Sequence, residues 1–243
     1  MGNTMNSKSP DLRTQRLCIF SGIAWAVLFF LALIMAGQFP PPSPLQTGSE
    51  LLAQIRDNWF MAKASIPIGI LGAGLAIPFN ALIAGHIARI EAQDQSMPLL
   101  AITSFGGGMA NVVAFFLVFF PFAALFYRQD ANPDVARMVH DFVWLIIIMA
   151  YSAPALQMVC IALAGFRDKS SNPVFPRWYA YLSLWIAFGT CTGCIGIYFF
   201  EGPFAWNGII SFWIPASAFG VWMISLCVMF FKHINASAAG VAA

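Results

Sequence analysis

The sequence predicts an all-α fold: one integral-membrane domain of six transmembrane helices, with a short amphipathic helix at the outer surface. Three observations predict it. Of 243 residues, 60% are hydrophobic and only 9% are charged, against about 25% charged in an average soluble protein. The mean hydropathy is +0.76. The apolar residues also gather in six uncharged runs, each near the roughly 20 residues that cross a bilayer's hydrocarbon core. Too few charges remain to cover a water-soluble surface, so a cytosolic or secreted globular protein is excluded.

The first run covers 17–37. It is longer than the roughly 7–15 apolar residues of a signal-peptide core, and no clear cleavage signal surrounds Ala36, so it reads as an uncleaved signal anchor. The first loop then opens with Pro40-Pro41-Pro42-Ser43-Pro44, which is stiff and cannot continue a helix. Thr47-Gly48-Ser49-Glu50 begins the amphipathic helix, with Leu51, Leu52, Ile55 and Trp59 on one face. Such a helix lies on the outer membrane surface, either as a plain connector or as a lid over an outward cavity.

The second run, 64–88, repeats small residues at Gly72, Ala76, Ala84 and Ala88, with Asn80 on the same stripe and Pro67 and Pro78 within it. The third, 99–127, carries Gly106-Gly107-Gly108 and Asn111. Small residues let helices approach closely, and an amide hydrogen-bonds across the contact. The two spans are therefore expected to pack together. Asn80 and Asn111 serve as interhelical glue or as ligand-binding groups. The remaining runs are 142–165, 178–200 and 208–231. No internal inverted repeat is evident.

Lysine and arginine set the orientation. With the N-terminus in the cytoplasm, the inner segments hold Lys8, Arg13, Arg16, Arg89, Arg167, Lys169, Arg177 and Lys232, and the outer ones only Arg56, Lys63, Arg128 and Arg137. This bias predicts both termini in the cytoplasm.

Several chemistries are excluded or weakened. The net charge of +2 is too small for an electrostatic nucleic-acid footprint. None of the six runs contains Asp, Glu, Lys or Arg, which argues against proton relays and voltage sensing. Of the three histidines, His86 and His140 fall at opposite ends of the bundle, too far apart to share a metal. No metal, haem or nucleotide motif is present, so no cofactor is expected. Cys191-Thr192-Gly193-Cys194 is a Cys-x-x-Cys inside an apolar run. Such surroundings silence thiols, so small residues at a helix contact are the plain reading and a quinone-linked thiol oxidoreductase the sharper one.

The outer face gathers the candidate chemistry. His140 and Asp141 open the fourth span, and Glu201 closes the fifth, followed by Trp206 and Asn207. Asp141, Glu201 and His140 form a candidate acid/base set near apolar surroundings. The plainer reading is ordinary helix-end charges. Asn80, Asn111, Trp206 and Asn207 are the candidate ligand-binding residues.

Phe175-Pro176-Arg177-Trp178, Tyr181-Leu182-Ser183-Leu184-Trp185 and Gly202-Pro203-Phe204-Ala205-Trp206-Asn207-Gly208 resemble an uncharacterised family of small six-span bacterial inner-membrane proteins, over about the last third of the chain. The resemblance implies a bacterial inner membrane and no particular chemistry. Two functions stay open. One is a multi-pass membrane protein that binds, passes or assists with a small neutral or apolar compound. The other is a small enzyme acting on a lipid, sterol or isoprenoid-like substrate at the outer face. The expected partners are the lipid bilayer, a small apolar ligand, and a membrane-protein partner or a second copy of the chain.

Overall fold

The computed structural model describes residues 12–95, 97–128 and 130–242, with side chains as far as Ser237. Lys8 of the charge count lies outside the described residues. The elements are α1 (Leu12–Met35), α2 (Gly48–Asp57), α3 (Trp59–Ala92), α4 (Leu99–Tyr127), α5 (Pro133–Met149), α6 (Ser152–Arg167), α7 (Arg177–Thr190), a 3₁₀ segment (Cys191–Tyr198), a π-helical turn (Ile209–Trp213) and α8 (Ile214–Ala242). There is no strand among the described residues. Among the described residues, six spans are long and apolar enough to cross a membrane: α1, α3, α4, α5 with α6, α7 with the 3₁₀ segment, and the π turn with α8. This is a multi-pass helical membrane protein. Large exposed side chains such as Phe20, Val27, Leu71, Trp185 and Phe188 face lipid, as the absence of a hydrophobic penalty there allows.

Helix ends are set by local chemistry. Thr47 and Glu50 form a reciprocal capping box at α2. The Thr47 backbone N–H and hydroxyl both donate to the Glu50 carboxylate, at 2.8 and 2.9 Å, which holds its pKa below the usual value. Asn132 caps α5 by accepting from the Asp134 N–H at 2.8 Å, with Pro133 at the first helical position. Glu91, at the end of α3, accepts from the N–H groups of Leu100 and Ala101 at 2.8 and 2.9 Å. A carboxylate satisfies the free amides and the positive dipole end of α4. Glu91 is buried. The charge-free reading of the spans therefore holds for 64–88 but not for all of α3, which continues past that run.

α1 packs on α3, α3 on α4, α4 on α5 and α6, α6 on α7, and α7 on α8, which closes onto α1. The start of α1 lies beside the end of α8, where Arg16 donates to Asn235 at 3.0 Å. At that same end Lys169 pairs with Asp94 at 2.7 Å. Glycines set the close approaches. A Cβ on Gly72 would come within 3.1 Å of Leu28 on α1, and one on Gly107 within 2.7 Å of the Ala153 carbonyl. The stripe on α3 thus serves α1 as well as the expected α4. Asn80 packs against Gly108, donates to the Ala76 carbonyl at 2.9 Å and accepts from Gln157 of α6 at 2.6 Å.

The amphipathic helix departs from its expected setting. Leu51, Leu52 and Ile55 are buried, and α2 packs on α5. Gln54 donates to the Gly37 carbonyl at 2.8 Å and Asn58 to that of Met35 at 3.1 Å. Its apolar face therefore covers protein and not lipid. Trp59 belongs to α3, where Lys63 stands 4.5 Å over its ring.

Candidate functional site

Three helix irregularities fall at one level of the bundle, and two have a proline as their cause. Proline lacks an N–H, and its ring clashes with the carbonyl four residues earlier. Pro154 places that clash at Ala150, in the two-residue break between the end of α5 at Met149 and the start of α6 at Ser152. Pro215 places it at Ser211, inside the π turn. The third irregularity is the 3₁₀ segment, which lies against α5. A Cβ on Gly193 would collide with the Ile148 carbonyl, and one on Gly196 with the Ile148 side chain. The Thr192 hydroxyl lies 2.9 Å from the Gly189 carbonyl and 3.1 Å from that of Ile210, tying this segment to the π turn.

These irregularities border a cavity of about 380 Å³ enclosed by α1, α4, α5, α6 and α8, with Ala150, Tyr151, Thr190, Ser211 and both prolines in its wall. Non-helical backbone at membrane depth persists only where protein or a cavity surrounds it. Most of the wall is aliphatic and aromatic: Phe29, Leu33, Phe115, Val118, Phe219 and Met223 among others. No Asp, Glu, Lys, Arg or His lines it.

The polar groups in the wall differ in their state. The Thr190 hydroxyl donates to the Ala187 carbonyl at 2.9 Å, and that of Ser211 to Phe204 at 2.7 Å. Asn111 also lines the cavity, and its amide has no hydrogen-bond partner among the described residues. Asn111 is half-buried, so part of its surface stays accessible. Of the two asparagines singled out in the sequence, Asn80 is thus satisfied by protein, while Asn111 has no such partner among the described residues.

The α2 end of the cavity is closed by Ile148 and Phe212, which pack with Trp144 and Trp206. Behind them lies a buried polar cluster. Gln38 is fully buried, and its Oε1 is 3.0 Å from His140 Nε2 and 3.1 Å from Trp144 Nε1. An indole N–H only donates, so this oxygen accepts, and the hydrogen of His140 sits on Nε2. The Gln38 Nε2 atom is buried without a partner. Trp206 packs against the His140 ring, centroids 5.7 Å apart, and donates to the Pro42 carbonyl at 2.9 Å.

The structure thus brings His140 and Trp206 together. Asp141 is half-buried and Glu201 exposed. Successive residues on a helix point about 100° apart, so turning His140 inward turns Asp141 away. Asn207 is half-buried in the turn before the π segment. Cys191 and Cys194 are free thiols, the first exposed. No group of three or more His, Cys, Asp or Glu is placed to hold a metal ion among the described residues. Gln38 and Gln157 escaped the sequence reading: Gln38 stands at the edge of a span, and Gln157 is a lone uncharged polar residue inside an apolar run. Pro154 and Pro215 did carry a signal, each being a proline inside an apolar run. Compared with protein-family models, curated proteins and solved structures, the chain matches none.

Proposed function

We propose that this protein binds a small, neutral, largely apolar compound inside the membrane, in the cavity between α1, α4, α5, α6 and α8. The observation that carries this reading is the Asn111 amide, without a hydrogen-bond partner among the described residues, in a mostly apolar wall. A ligand carrying one carbonyl or hydroxyl group satisfies that amide, while its apolar body fills the rest. The absence of charge from the wall disfavours ionic ligands, because desolvating an ion there has no compensating partner.

Photolabelling in vesicles tests this, using a diazirine-bearing medium-chain alcohol and peptide mapping by mass spectrometry. Saturable labelling of cavity residues such as Ala114 and Phe219 is expected. Asn111→Leu should weaken it about tenfold, the worth of one buried hydrogen bond. Labelling that never saturates and spreads over the lipid-facing helices would sink the reading. Asp141→Asn and Glu201→Gln should leave it unchanged; loss in either would favour a lipid-acting enzyme that uses these carboxylates with His140.

We place both termini in the cytoplasm on the lysine and arginine bias, and the chain in a bacterial inner membrane on the resemblance of its last third. A reporter fused after Ala243 that fluoresces only in the cytoplasm should be bright. A dark fusion, with a periplasm-dependent reporter active at the same position, would reverse the orientation.

A further inference from the structure

At its α2 end the cavity is bordered by packed aromatic side chains. There it meets Ile148 and Phe212, backed by Trp144 and Trp206, which are in turn tied to Gln38 and Pro42. On its flank the arrangement differs. Two of its wall residues, Phe30 on α1 and Ile224 on α8, are 41% and 66% exposed, so they touch the cavity and the outside of the bundle at once. Aromatic contacts frame the space between these helices, and within it Trp25 of α1 meets Phe219 of α8 at 6.2 Å, both lining the cavity. Phe30, Phe39 and Trp213 close it towards the α2 end, with centroids 5.5 and 5.9 Å apart, and Phe20 meets Phe231 at 5.5 Å beyond it on the other side. Gly220 sits in this stretch of the wall, and a Cβ built on it would meet nothing within 4 Å. The surrounding flank shows Ile23, Val27, Ile34, Val221 and Val228, none of them charged, so lipid covers it.

We infer that the α1–α8 gap beside Gly220 is a lateral portal, through which the ligand passes between cavity and bilayer. This rests on the cavity reading above and narrows the ligand class to a neutral lipophile dissolved in the membrane, with one hydroxyl or carbonyl group that reaches Asn111. A water-borne solute would have to cross the flank through hydrocarbon, while a membrane-dissolved compound is already there at high local concentration. The glycine leaves the passage open where any side chain would narrow it.

The test is a time course of flash photolabelling in proteoliposomes, with the diazirine-bearing alcohol supplied in a second population of vesicles. Gly220→Leu fills open space without striking protein, and leucine favours a helix more than glycine does. It should slow labelling of Ala114 about tenfold, since the added side chain must be displaced from the path, with the final level within about twofold of the parent. Ile224→Trp, at the outer rim, provides a second variant with the same expected slowing should the first fail to fold. Gln38→Ala loosens the α2 end and should leave the rate unchanged. Unchanged rates in Gly220→Leu and Ile224→Trp beside saturable labelling of the parent overturn the portal alone. Faster labelling in Gln38→Ala overturns it too, by placing access at the α2 end. A parent that never labels saturably overturns the cavity reading and the portal together.

Discussion

Gln38→Leu is expected to be among the most damaging single substitutions in this protein. The side chain is fully buried, and one oxygen serves two donors, His140 Nε2 and Trp144 Nε1. Leucine leaves both N–H groups in a dry site with nothing to accept them. Each orphaned donor costs about 1–3 kcal/mol, and removing the unpartnered Gln38 Nε2 returns part of that. The net loss should be about 2–4 kcal/mol, or roughly 5–15 °C in the melting temperature of a chain this long. Thermal unfolding in detergent micelles, followed by tryptophan fluorescence, measures it. His140→Phe removes one donor along with its need for a partner, so it should cost clearly less. A Gln38→Leu protein that melts with the parent would show that the shared oxygen does not hold the α2 end together.

The second large effect concerns Asn80 and Gln157. Their amides meet at 2.6 Å in the buried contact of α3, α4 and α6, and Asn80 lies against Gly108. Asn80→Leu strands the Gln157 amide and presses a branched side chain onto a position that has room only for glycine. Interhelical hydrogen bonds in membranes are worth about 0.6 kcal/mol on average, because the separated helices also find partners. Stranding and overpacking add to this, for an expected loss of about 1–3 kcal/mol. Gln157→Leu removes the other half of the pair, and Asn80→Ala with Gln157→Leu should be less damaging than the sum of the singles. Additive losses in that cycle would mean that the two amides do not interact in the folded protein.

Both predictions fall on residues of different legibility. Asn80 stood out in the sequence as a polar group on a stripe of small residues, and its role as a tie between helices was one of two readings open there. Gln38 did not stand out, because it follows Gly37 at the end of an apolar run and precedes a proline-rich loop. Its partners His140 and Trp144 are 102 and 106 residues away, and no local pattern announces a contact at that separation.

The amphipathic helix shows the same limit from another side. Its period and its start at Thr47-Gly48-Ser49-Glu50 were plain in the chain, since both depend on residues within one or two turns. What its apolar face would cover was not, because lipid and a neighbouring helix are equally good apolar partners.

The number of spans, the helical class and the lack of charge along the runs were determined by the sequence itself. A bilayer imposes length and hydropathy on each span separately, so those properties need no knowledge of the neighbours. The cavity, the place of Asn111 in its wall, the packing at the α2 end and the space around Gly220 were decided by tertiary structure alone. Each depends on which faces of helices far apart in the chain meet, and in an apolar solvent that choice rests on the fit of small side chains and a few shared hydrogen bonds, for which sequence periodicity carries little trace.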